Sequence, residues 1–307
     1  MKISTSALFD RANQQMSSVQ TSLAKSQAQL ASGKQIVTAS DAPDQAADIQ
    51  RLQSIINRQD SYAATLGTVQ TRLKTEESSL QSVSTLLVRV KEISVQAASA
   101  TLSPTDRQAL AVELGGLRDQ MLSLANTQDS MGNYLFAGSR VSQPAFAPDA
   151  SGAVAYQGDQ TRMTVSVGDQ RSVQLNRSGS DAFVRVVRQD STGAKTGVGF
   201  FQAIDDLTTA IKNSNQTGMQ RGIGEMDSLQ SGVTLALAQV GTDMNVADAQ
   251  TSVLDDTRLS LKTVLSSVQD LDYASAITLM NKQMMSLQAA QESFGKITKL
   301  SLFNYIN

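Results

Sequence analysis

The stretch ANQQMSSVQTSLAKSQAQL, residues 12–30, decides the fold. Ala12, Met16, Val19, Leu23, Ser26 and Leu30 recur at alternating steps of four and three, the spacing of a helix face that packs on another helix. The far end repeats the pattern. In ITLMNKQMMSLQAAQESF, residues 277–294, the same steps carry Ile277, Met280, Met284, Leu287, Gln291 and Phe294. Fixing one residue's backbone costs roughly 1–2 kcal/mol, and burying a large apolar side chain returns roughly 1.5–3 kcal/mol. With such narrow stripes, neither end helix balances that sum alone. Both ends are therefore expected to be poorly ordered in a free monomer and to order on assembly. A four-helix bundle closed within one chain is the ordinary alternative. Sticky helices at both termini around a different kind of middle read as an assembly subunit.

Working inward, Gly33 ends the first helix, and Ser40 or Asp41 is the expected cap of the next, with Pro43 in its first turn. Asp41, Asp44 and Asp48 suit a helix N-terminus. Apolar steps of three and four, with one short step after Leu66, then run to about Ala98, giving a helix on the order of 80 Å long at ~1.5 Å per residue. Ser103-Pro104 opens another helix, expected to end near Met131-Gly132-Asn133, with close helix approach expected at Gly115 and Gly116. From Gly138 to Gly199 the period changes. Met163, Val165 and Val167, a Gly168-Asp169-Gln170 turn, then Val173 and Leu175 predict a hairpin, with a further strand over Phe183–Val187. Helices resume near Phe200, and a second long stripe from Ile223 to Val268 passes Gly232 and Gly241, where a kink is expected. The fold class is mainly α, a long antiparallel coiled-coil or helical-bundle rod with a small inserted β-rich domain. The expected segments are an N-terminal assembly helix (1–42), an outgoing rod (43–137), the β-rich insertion (138–199), a returning rod (200–270) and a C-terminal assembly helix (271–307).

Composition narrows the function. The 307 residues carry 26 Lys plus Arg against 28 Asp plus Glu, a net charge of −2, so neither nucleic acid nor an anionic membrane surface is called for. There is no Cys, His or Trp, which removes thiolate chemistry, the commonest general base and the commonest transition-metal ligand. No apolar run is long enough to span a bilayer, and Met1–Asp10 lacks the pattern of a cleaved signal peptide. Gly193-Ala194-Lys195-Thr196-Gly197 lacks the ending of a phosphate loop, and Gly222-Ile223-Gly224 lacks the third Gly of a dinucleotide fingerprint. The adjacent carboxylates Glu76-Glu77, Asp205-Asp206 and Asp255-Asp256 point apart on a helix. No catalytic, cofactor-binding or metal-binding residue is expected.

Several stretches carry a resemblance. Met1-Lys2-Ile3-Ser4-Thr5, Leu30-Ala31-Ser32-Gly33-Lys34, Ser40-Asp41-Ala42-Pro43 and Asp270-Leu271-Asp272-Tyr273-Ala274 resemble the signatures of the flagellin superfamily. Gly132-Asn133-Tyr134-Leu135-Phe136-Ala137-Gly138-Ser139, Tyr156-Gln157-Gly158-Asp159 and the ending Leu300–Ile306 are closer to its hook-associated members. The resemblance implies an extracellular flagellar subunit, exported unfolded through the flagellar secretion channel with an export chaperone and the export apparatus. It implies a ring of copies between a preceding hook-associated protein and flagellin. Ile3, Met16, Val19, Leu23 and Leu30 would supply N-terminal assembly contacts, and Ile277, Met280, Met284, Leu287, Phe294, Leu302 and Phe303 C-terminal ones. The stretch Gly138–Gly199 would face outward. A short filament-forming flagellin and a cytoplasmic coiled-coil regulator are the competing readings.

Overall fold

In the computed structural model, residues 2–150, 152–189 and 194–306 are described, with side chains from Phe9 to Lys296. The elements run α1 (Lys2–Ser32), α2 (Pro43–Ala97), α3 (Pro104–Ala125), β1 (Phe146–Pro148), β2 (Val154–Tyr156), β3 (Thr164–Ser166), β4 (Ser172–Gln174), α4 (Gly179–Ala182), β5 (Val186–Gln189), β6 (Lys195–Val198), α5 (Phe200–Lys212), α6 (Gln216–Gln269) and α7 (Tyr273–Ile306). They form two compact units. One is built from both ends of the chain (Met1–Gln59 and Asp256–Asn307), the other from Asp60–Asp255.

In the middle unit α2 and α6 run antiparallel. Lys91 pairs with Asp227, Gln230 Nε2 donates to Ser84 Oγ at 2.6 Å, and Gln70 Nε2 donates to Asp248 Oδ1 at 2.8 Å. α3 folds back on α2, with Arg89 on Glu113 and Ser79 Oγ donating to the Leu124 carbonyl. Leu73, Leu80, Leu87 and Ile93 of α2, Leu114 and Met121 of α3, Ile204 and Leu207 of α5, and Met226, Val233 and Val240 of α6 fill one continuous core. Ser103 and Asp106 form a reciprocal capping box at the start of α3.

Three expectations about the helices are corrected. α3 ends at Ala125, short of Gly132, because the Asn126 amide pairs with the Phe146 backbone in both directions, at 2.8 and 2.9 Å. Gly115 and Gly116 face open space. α6 runs unbroken through Gly232 and Gly241; Gly232 instead makes room for Val184, whose methyl a Cβ would strike. At the start of α2, the Asp41 carboxylate accepts from Thr38 N–H at 3.1 Å and pairs with Lys25 at 2.9 Å.

Among the described residues the β-rich stretch forms three antiparallel hairpins, β1–β2, β3–β4 and β5–β6. The predicted hairpin is β3–β4, with Val165 opposite Val173. The further strand begins at Val186, three residues later than expected, because Phe183 caps α4 and enters an aromatic cluster. A two-stranded hairpin is marginal alone. Five of the eight Phe supply the missing core: Phe146–Phe183, Phe183–Phe200 and Phe200–Phe201 ring centroids lie 5.1 Å apart, and Phe136–Phe183 5.3 Å. Edge-on aromatic pairs add about 0.5–1.5 kcal/mol each beyond burial.

A buried ionic node ties this stretch to the helices. Arg177 donates to Glu76 Oε1 at 2.9 Å, Gln239 Oε1 at 2.5 Å and Asp243 Oδ2 at 2.8 Å. Burial holds Glu76 above its ordinary value of 4.5, against the pull of Arg177 and Arg72 and with the push of Asp243. Burial likewise raises Asp243, against Arg177 and Arg162. A carboxyl raised on folding takes its proton first in the folded chain, so its contribution grows as pH falls through the raised value toward the ordinary one. Asp41, Asp159 and Asp272 are lowered, chiefly by hydrogen bonds from Lys25, Ser139 and Ser275 respectively, and their contribution is lost at still lower pH. Urea unfolding should therefore show stability rising as pH falls toward the ordinary carboxylate values before it drops at still lower pH, and Glu76→Gln should flatten the rise. Arg177→Ala strands a buried carboxylate and should cost roughly 3–5 kcal/mol.

Candidate assembly site

α1 stops where Gly33 adopts φ +67°, a left-handed conformation open to Gly at no steric cost. α7 starts where Asp272 accepts from Ala274 N–H at 3.0 Å and Ser275 Oγ at 2.7 Å. The two helices pack antiparallel. Ser26 Oγ donates to Gln283 Oε1 at 2.9 Å near one end of the pair, and Phe9 meets Phe294 edge-on, centroids 5.5 Å apart, near the other.

On α1 the predicted stripe is the seam. Ser26 is buried, and Ala12, Met16, Val19, Leu23 and Leu30 are half-buried. Phe9, three residues before Ala12, extends it; carrying the same steps one turn upstream would have found it. On α7 the predicted stripe divides. Met280, Leu287 and Phe294 lie on the seam, joined there by Ala276, Gln283 and Ala290. Ile277 and Met284 lie on its flank, 45% and 40% exposed. Two interleaved series share 280, 287 and 294, and the less apolar series faces α1. Leu279 and Met285 are exposed as well. The side chains of Ile3, Leu302 and Phe303 lie outside the described residues.

The seam is thus covered on one side only. Its large apolar residues are half-buried, whereas those in the middle unit's core are buried.

The recognisable motifs of the middle unit come together in space. Asp159 accepts from Ser139 N–H at 2.8 Å and Thr161 N–H at 3.0 Å. Tyr156 Oη donates within reach of the Phe136 carbonyl at 3.0 Å and the Asp159 carbonyl at 2.7 Å. Gly138, at φ +68°, sits so tightly on Asp159 that a Cβ would collide with it. These residues form a structural knot. A cavity of about 370 Å³ beside it is lined by Thr68, Thr71, Arg72, Asp129 and Met163, and Arg72 is tied to Asp129 at 2.6 Å. Among the described residues no group of three or more His, Cys, Asp or Glu could hold a metal ion, and no helix is long and apolar enough to cross a membrane.

Comparison with known proteins places this architecture. The family described as Bacterial flagellin N-terminal helical region matches residues 3–141. Flagellar hook-associated protein 3 of Salmonella typhimurium is 27% identical, over 99% of this chain and 99% of that protein. Flagellar hook-associated protein 3 of Escherichia coli is similar to the same extent, 28% identical over 99% of this chain and 99% of that protein. Flagellin of Listeria monocytogenes stands further off, 21% identical over 94% of the chain. The crystal structure of Xanthomonas campestris FlgL superposes with a TM-score of 0.62 at 26% identity, covering 71% of this chain and 99% of that one. Its likeness places the hook-associated fold, long helices with a small strand-rich region, on this chain.

The aromatic contact at the far end of the pair is testable. Phe9→Ala and Phe294→Ala should be non-additive, with a coupling of about 0.5–1.5 kcal/mol in a double-mutant cycle. Amide exchange in α1 and α7 is the readout.

Proposed function

We propose that this chain is a non-enzymatic structural adaptor of the bacterial flagellum, forming the junction layer between a hook-associated protein and the flagellin filament by packing of its terminal helices. The observation that carries the reading is the end-to-end match to flagellar hook-associated protein 3, joined to a terminal seam that is covered on one side only. Flagellins match less closely, which favours the junction over the filament itself. The lack of His and Cys supports a structural role. The partners are a preceding hook-associated protein, flagellin and further copies in a ring; an export chaperone and the flagellar export apparatus deliver the chain to the cell exterior. The assembly contacts are the half-buried Met16, Val19, Leu23, Leu30, Met280, Leu287 and Phe294, the exposed Ile277 and Met284, and Ile3, Leu302 and Phe303.

A strain deleted for this chain tests the reading. Hooks should remain, filaments should be lost and flagellin should be shed into the medium; normal filaments would overturn the proposal. The full chain should restore filaments, and a version trimmed to residues 43–270 should not. Purified chain should not extend into long filaments, as a short flagellin would. Placing charge on the exposed flank, Ile277→Asp with Met284→Asp, should leave the middle unit's unfolding unchanged and reduce filament attachment, scored as flagellin released per cell.

A further inference from the structure

We propose that the connectors flanking the terminal helices form a two-strand clasp that sets the register of α1 on α7. The inference rests on the reading of the ends as an assembling pair and adds the residues that position it.

The seam alone specifies register weakly. Met16 and Leu23 on one helix, and Met280, Leu287 and Phe294 on the other, repeat every seven residues. Sliding one helix by a heptad, about 10 Å, sets apolar side chains opposite apolar side chains again. The seam residues of both helices are uncharged, so no ion pair within the seam penalises the slip, and what it breaks there is the single Ser26–Gln283 hydrogen bond and the Phe9–Phe294 ring contact. Two helices from opposite ends of a chain also start far apart in sequence, so no short turn fixes their alignment.

The connectors supply what the seam lacks. Lys34 and Asp270 face one another as an isolated antiparallel bridge. Gln35 N–H donates to the Gln269 carbonyl at 2.8 Å, and Leu271 N–H donates to the Gly33 carbonyl at 3.0 Å. Two backbone bonds running in opposite directions fix the pairing to the residue, since a slip by one would break both. The facing residues carry opposite charge. Each connector is also held to a helix. Gln29 Nε2 of α1 donates to the Gln35 carbonyl at 2.5 Å, and Ser266 Oγ of α6 donates to the Asp270 carboxylate. Gly33 completes the clasp, because a Cβ there would stand 2.7 Å from Tyr273 Oη. With the bridge fixed, the intervening residues place Ser26 opposite Gln283.

The chain has no Cys, so paired cysteines test the register directly on the purified full chain. Ser26→Cys with Gln283→Cys reports the aligned state, and Val19→Cys with Gln283→Cys reports a slip of one heptad. The aligned pair should cross-link at least about tenfold faster than the slipped pair. Gln35→Pro with Leu271→Pro deletes both clasp donors and should bring the two rates within a factor of about two. Leu271→Pro alone should fall between, and Val37→Pro, beside the clasp, should keep the preference. A clasp-deleted chain that retains the aligned preference would overturn the proposal, as would a parent chain with no preference. Because cross-linking is read on the isolated chain, the clasp stands or falls independently of whether the deletion strain shows a junction defect.

Discussion

Apolar surface on an isolated helix has to be covered, and a helix pair can cover only the side on which its two members meet. That constraint organises both ends of this chain. α1 and α7 lie at opposite ends of the sequence, meet along Phe9–Leu30 and Ala276–Phe294, and leave most of their seam half-exposed. Ser26 and Ala276 are the buried exceptions. The unit they form therefore carries a partly covered core, and under the proposed function neighbouring subunits cover the rest.

The middle unit meets the same constraint differently. Its three hairpins would be marginal singly, and each is anchored. Phe146 and Phe183 carry the hairpin region into the aromatic cluster with Phe200 and Phe201 of α5. Arg177 reaches Glu76 of α2 and Asp243 of α6, and Arg188 of β5 reaches Glu225 at 2.6 Å. These charges are expensive to bury and tolerable because each guanidinium is met by carboxylates. The unit closes on itself, while the terminal unit stays open on one side.

Much of this was legible in the sequence. The stripe of α1 from Ala12 to Leu30 was legible because those members lie in one series, while Phe9, one step upstream, was missed. The long α2, the start of α3 at Ser103-Pro104 and the Val165–Val173 hairpin were equally readable from local pattern. α7 was harder, since Ile277 and Met284 are more apolar than Ala276, Gln283 and Ala290, yet the milder series faces α1. Apolarity alone says which residues seek cover, and the partner's position says which find it within the chain. The end of α3 depended on Asn126 finding the Phe146 backbone twenty residues away. The Glu76–Arg177 pair spans about a hundred residues, and the clasp joins connectors near opposite ends of the chain. Contacts of that separation leave no periodic trace. The Gly132–Ser139 and Tyr156–Asp159 motifs could be quoted from the sequence, but their joint role as a knot around Asp159 and Tyr156 became visible only in three dimensions.

Hydrogen exchange on the free chain and on the chain built into flagella tests the central claim most directly. If neighbouring subunits complete the terminal seam, amides of α1 and α7 should exchange at least about tenfold more slowly once assembled, while those of α2 within the middle unit stay unchanged. Equal exchange at both ends in the two states would mean that the pair is already complete within one chain, and would contradict the account.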